Sequence, residues 1–140
     1  MGVGIQVGSI LEEVGTQDFL HAFFSTISYH LEPKGWGTKY PTLMGKLYGE
    51  GKLDAALAPS ALKETTEVRA SLESFSPRQV IWDIENLAAK PPWGDDISPE
   101  ITSLANYFVT SSGRDFFEVL VESLEELQQE EDGELTIEQI

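Results

Sequence analysis

The sequence predicts an α+β domain, a small sheet packed against about three substantial helices. Three observations carry this. Short runs of strand character stand near both ends, at Val3–Val7 with Ile10–Val14 and around Tyr107–Val109. Three longer stretches repeat apolar residues at helical spacing, within 16–32, 54–75 and 112–127. The 140 residues match the length of one domain and show no internal repeat.

Val3 to Val7 alternates apolar with small or polar residues and predicts a first strand; Gly8-Ser9 turns the chain into Ile10–Val14. Thr16 to Glu32 is the clearest helix. Thr16 is placed to cap it, Asp18 sits near its positive end, and Phe19, Leu20, Phe23, Phe24, Ile27 and Leu31 share a broad apolar face. Pro33 and Gly35 end it. His21 and His30 lie on this helix about 180° apart at 100° per residue, so one metal ion cannot take both from a straight helix. Each reads as a surface or edge residue.

Pro33 to Pro41 is loop, with Trp36 between two glycines as either an exposed anchor or a lid folded on the core. Pro41 opens a short helix through Leu47, and Asp54 to Phe75 reads as helix interrupted near Pro59. Helix and strand signals compete at Val80–Ile84. Ser76 as cap with Pro77 next favours helix, while the β-branched and aromatic run favours strand, and strand is the preferred reading. Beyond it, Pro91 and Pro92 stiffen a loop carrying Trp93, Gly94, Asp95 and Asp96. Ser98-Pro99 predicts another helix start, and Ser112 with Asp115 three residues on predicts the cap of a last helix striped by Phe116, Leu120, Leu124 and Leu127. Residues 1–130 are read as the domain and 131–140 as an acidic tail, either disordered or adding a short element.

Charge and composition exclude several functions. There are 24 acidic and nine basic residues, a net charge of −15, and ten of the acids with none of the bases lie from Asp115 onward. Direct nucleic-acid binding is disfavoured, because phosphate contacts need clustered positive charge. Without cysteine there is no disulfide framework and no thiolate metal site. No basic start precedes an apolar run and no run reaches membrane length, so neither a signal peptide nor a membrane role is expected and the cytoplasm is the expected location. The glycines at 2, 4 and 8 have the wrong spacing for a dinucleotide loop, and Gly49-Glu50-Gly51-Lys52 lacks the pattern of a phosphate loop. Ser25 and His21 are four apart with no third group for a hydrolase triad. Asp83, Glu85, Asp95 and Asp96 form the one acid cluster with structural character. An alternative reading gives Asp83, Asp95 and Asp96 a divalent cation or acid/base work. The plainer reading has Asp95 or Asp96 capping a turn. No catalytic residue, metal ligand or cofactor is assigned.

Five segments together resemble the bacterial immunity protein 70 family. They are V-G-S-I at 7–10, D-F-L-H-A-F-F-S-T-I-S-Y-H-L-E at 18–32, G-W-G-T-K-Y-P at 35–41, V-I-W-D-I-E-N with P-P-W-G-D-D-I-S within 80–98, and N-Y-F-V-T-S-S-G-R-D-F-F-E-V-L at 106–120. The resemblance spans Val3 to Leu120 and implies a non-enzymatic antidote that binds and neutralises a cognate toxin domain of a polymorphic toxin system. It does not say which toxin, and it carries over no binding residue. Nuclease toxins have basic clefts, which an acidic inhibitor approaches quickly and then occludes. Interfaces of this kind rest on a few Trp, Tyr and Arg anchors. The expected partner-binding residues are therefore Trp36, Asp83, Trp93, Asp95 and Asp96, with Glu118 and Glu122 on the last helix as a rival patch.

Overall fold

A computed structural model describes residues 2–94, 96–130 and 132–140. The domain is α+β: a four-stranded antiparallel sheet in the order β2-β1-β4-β3 carries three long helices. β1 (Val3–Val7) and β2 (Ile10–Gly15) form the predicted hairpin, with Gly8 at φ 59° and Ser9 in the ordinary negative range. Positive φ at the first central position is the signature of a type II′ turn, whose twist matches the strands it joins. β3 (Lys52–Asp54) is an unpredicted edge strand, too short for its alternation to register in the sequence.

The acidic end is not a separate tail. Glu134–Gln139 is β4, inserted between β1 and β3 with Ile5 opposite Ile137 and Leu53 opposite Leu135. Leu135 is fully buried on the core face, so two apolar side chains decide the matter in a segment whose composition is polar. Gly2 and Ile140 exchange backbone hydrogen bonds at 3.2 and 2.9 Å, tying the two ends together.

α1 (Gln17–Leu31) is capped by the Thr16 hydroxyl, which accepts from Phe19 N at 3.1 Å. α2 (Ala58–Leu72) follows a short 3₁₀ turn, with Pro59 in its first turn where the missing N–H costs nothing. α3 (Phe116–Gln129) is capped by Asp115 and not by Ser112: the Asp115 carboxylate accepts from Phe117 N at 2.9 Å. Ser112 instead bonds the Thr110 hydroxyl inside the preceding turn. The core is built on phenylalanine. Phe23 of α1 meets Phe24, Phe108, Phe116 and Phe117 at centroid distances of 5.2, 5.2, 4.6 and 5.1 Å, all edge-on. Each such pair contributes about 0.5–1.5 kcal/mol beyond burial.

Between the helices much of the chain is irregular. Val80–Ile84 is neither strand nor helix. Ser76 and Pro77 do start a helical turn, but it is a single 3₁₀ turn (Pro77–Gln79) closed by a capping box with Gln79. Ser98-Pro99 starts no helix; Ser98 closes only a local turn to Ile101. Tyr107–Val109 forms no strand, and Val109 makes an isolated bridge to Asp115.

The loop after α1 is shaped by one buried acid. Glu32 is 3% exposed, and its carboxylate accepts from Gly37 N, Lys39 N and Tyr40 N at 2.9, 3.0 and 2.9 Å. Three donors compensate a carboxylate removed from water. Glu64 of α2 likewise accepts from Thr42 N and Leu43 N, at the start of the wide π-type turn Thr42–Tyr48. Glu32→Ala would leave three backbone donors without their acceptor. We expect a loss of about 3 kcal/mol in urea denaturation, and a variant within about 0.5 kcal/mol of wild type would refute this role for Glu32.

Candidate functional site

Asp83, one of the residues expected at an interface, lies on a segment held in place by the polar side of α1. At 100° per residue, Ser25, Thr26 and His30 stand roughly 40°, 140° and 180° around the helix from His21. Each of the four bonds the segment 79–84. His30 Nε2 donates to Gln79 O at 2.6 Å. The Thr26 hydroxyl donates to Ile81 O at 3.3 Å and accepts from Ile81 N at 3.1 Å. Ser25 Oγ accepts from Ile84 N at 3.2 Å, and His21 Nε2 meets Asp83 Oδ1 at 3.1 Å. The segment therefore winds about half a turn around α1. Its backbone is satisfied by side chains, which is why an apolar, β-branched run makes no strand. The two histidines do point to opposite sides of the helix, and the same strap engages both.

His21 is the centre of a small network. Its Nδ1 lies 2.8 Å from the Tyr48 hydroxyl, itself 3.4 Å from Gln17 Nε2. One tautomer satisfies both contacts: Nε2–H donates to Asp83, and Nδ1 accepts the Tyr48 proton. Tyr48 ends the π-type turn and stacks on Phe24 at 4.4 Å. Burial pushes its phenol above the ordinary value, with the nearby carboxylates of Asp83, Asp18 and Glu85 adding to the effect against the Gln17 hydrogen bond. The Asp83 carboxyl is held below its ordinary value, first by the backbone N–H of Glu85 at 2.9 Å and then by His21.

Four of the expected residues fall along one belt. Trp36 is 38% exposed; its indole donates to Met44 O at 3.2 Å, and its ring lies 5.9 Å from that of Tyr48. It is thus partly folded back and partly open, combining the two readings its sequence context allowed. Tyr48 leads through His21 to Asp83. Beside Asp83, Trp82 meets Trp93 edge-on at 5.3 Å, and the Trp93 indole donates to Tyr107 Oη at 2.9 Å. Trp93, 38% exposed, lines a groove of about 330 Å³ with Asp96, Ile97, Val109 and others. Asp95 lies outside the described residues. Glu118 and Glu122 are not on this belt. They group around Arg114, which pairs with Glu122 and reaches Glu12 at 3.6 Å. Part of that acidic face is thereby neutralised at home.

Tyr48, His21, Trp82, Tyr107 and Val109 are the members of the belt that sequence reasoning did not select. Tyr48 and Asp83 are 27 and 62 positions from His21, so no spacing rule brings them together. Trp82 offered a signal in its proximity to Trp93 within one aromatic stretch. For the alternative cation or acid/base reading, Asp83 is engaged by His21, and no trio of His, Asp or Glu among the described residues could hold a metal ion.

A sequence profile described as Immunity protein 70 matches residues 5–137, nearly the whole chain. The chain belongs to the Immunity protein 70 family. No curated protein and no solved structure matches it. Membership makes this an immunity protein by family and points to inhibition of a toxin in preference to catalysis. Among the described residues no helix is long and apolar enough to cross a membrane.

The Asp83 network has a defined pH signature. Because the folded carboxyl is held below its ordinary value of about 3.9, its contribution is complete above that pH and fades as pH falls through the lower folded value. Asp83→Asn should therefore lower the thermal midpoint at pH 7, and the gap to wild type should close in the acid range below about pH 4. A gap that persists unchanged into acid would mean that the carboxylate charge plays no part.

Proposed function

We propose that this protein binds a cognate bacterial toxin domain one-to-one in the cytoplasm and neutralises it by occluding its active surface. The observation that carries the reading is the family match over residues 5–137. The charge of −15 supports a basic toxin surface, such as the nucleic-acid cleft of a nuclease, approached by electrostatic steering. The belt from Trp36 through Asp83 to Trp93 and Asp96 is the proposed contact face. It sets partly exposed tryptophans, a residue type enriched in binding hot spots, beside carboxylates. The side chains of Trp36, Asp83 and Trp93 are already held by internal hydrogen bonds, which lowers the entropy lost on binding.

The test is co-expression with the toxin domain encoded beside this chain. Growth should be rescued and a complex of one copy of each should co-purify. Trp36→Ala should weaken that complex by about tenfold or more, whereas Glu118→Lys with Glu122→Lys should mainly slow association at low salt. Failure of both rescue and co-purification would remove the neutralisation reading. A complex insensitive to Trp36 but broken by the α3 changes would move the contact face to α3.

A further inference from the structure

We infer that the groove beside Trp93 is a receptor for one cationic side chain, an arginine or lysine of the toxin. The inference rests on the neutralisation reading and adds the chemistry of its anchor. The groove holds about 330 Å³ and is walled by Phe19, Trp93, Ile97, Ile101, Tyr107 and Val109, with Ser98 and Asp96 as the rest of its lining among the described residues. Among the described residues, Asp96 is its one charged lining residue. Its backbone N–H bonds Trp93 O at 3.0 Å, but its carboxylate has no hydrogen-bond or ion-pair partner among the described residues. The Trp93 indole N–H is already used by Tyr107 Oη at 2.9 Å, which fixes the ring as part of the wall.

An apolar groove beneath an unpaired carboxylate selects a particular ligand shape. A purely apolar side chain would fill the walls and leave Asp96 with only water. A small cation would meet Asp96 and leave Trp93 and Val109 exposed, at 38% and 42%. A lysine or arginine does both, laying its methylenes along the walls and its charge at the rim. The Trp93 ring adds attraction for the cation through its π face. Arg78 lines the adjoining concavity with Gly94 and Pro77 and not this one. The net charge of −15 complements a basic partner over a longer range.

The first arm of the experiment needs no toxin. The full chain is titrated with N-acetyl-arginine amide and with its uncharged isostere N-acetyl-citrulline amide while ¹H–¹⁵N spectra are recorded. The arginine compound should shift the Trp93 indole and the Val109 amide saturably; citrulline should not, and Asp96→Asn should abolish the response. Equal responses to the two compounds, or none to either, would overturn the inference. The second arm uses the toxin domain encoded beside the chain. Asp96→Asn and Val109→Lys, the latter placing a tethered cation in the groove, should each weaken the complex about tenfold with unchanged melting temperature. If wild type and both variants bind alike, the groove is not the anchor while neutralisation stands. If wild type does not bind at all, the neutralisation reading falls and the arginine titration alone decides the groove.

Discussion

The hydrogen bonds between the polar side of α1 and the strap at residues 79–84 are the constraint on which the rest of the proposed contact face depends. Backbone groups taken out of water need partners, and this strap has no neighbouring strand to supply them. Ser25 and Thr26, both fully buried, supply them instead, with His21 and His30 at the two ends. The helix is thus used on most of its circumference. Its phenylalanines hold α3 and Phe108, while its hydroxyls and imidazoles hold the strap. The position of Trp82 and Asp83 follows from that second set of contacts, and the position of Trp93 follows from Trp82 and Tyr107.

The same arrangement explains what could be read in the sequence. Elements whose cause is local were legible. The β1–β2 hairpin follows from alternation and a glycine turn, and α1 from its cap and apolar face. Elements whose cause is distant were not. The strap carries a strand-like run, but its backbone partners lie on a helix more than fifty residues earlier. β4 carries a polar composition, and only its pairing between β1 and β3 reveals Leu135 and Ile137 as sheet residues. Asp115 caps α3 where Ser112 looked suitable, because Ser112 is held by Thr110 and the chain turns helical only after the bridge between Val109 and Asp115. For the candidate site, exposed aromatics flanked by glycine or proline pointed to Trp36 and Trp93. Their companions Tyr48 and Tyr107 come from distant positions and show no pattern of their own.

Local pairing also changes how the acidity is to be weighed. The largest concentration of acids by count is the C-terminal quarter, yet α3 faces Arg114 through Glu122, and Asp115 is engaged by Arg69 at 3.1 Å and by its capping role. Exposed pairs of this kind add little to stability, commonly under 1 kcal/mol. They do lower the field that a partner meets at short range. What survives at long range is the net charge, which governs encounter more than the strength of the final contact.

At short range the distinction falls between Asp83 and Asp96. Both stand beside a tryptophan, and from the sequence they look equivalent. Asp83 already accepts from Glu85 N and His21, so any cation approaching it competes with bonds that hold the strap on α1. Binding there would draw on the energy that positions Trp82, and through Trp82 the ring of Trp93. Asp96 carries no such obligation among the described residues. A carboxylate without an internal partner can give its full interaction to an incoming charge, while one inside a network can offer only what the network does not use. On the proposed contact face the two acids therefore divide the work: Asp83 holds the strap on α1, and Asp96 is left for the partner.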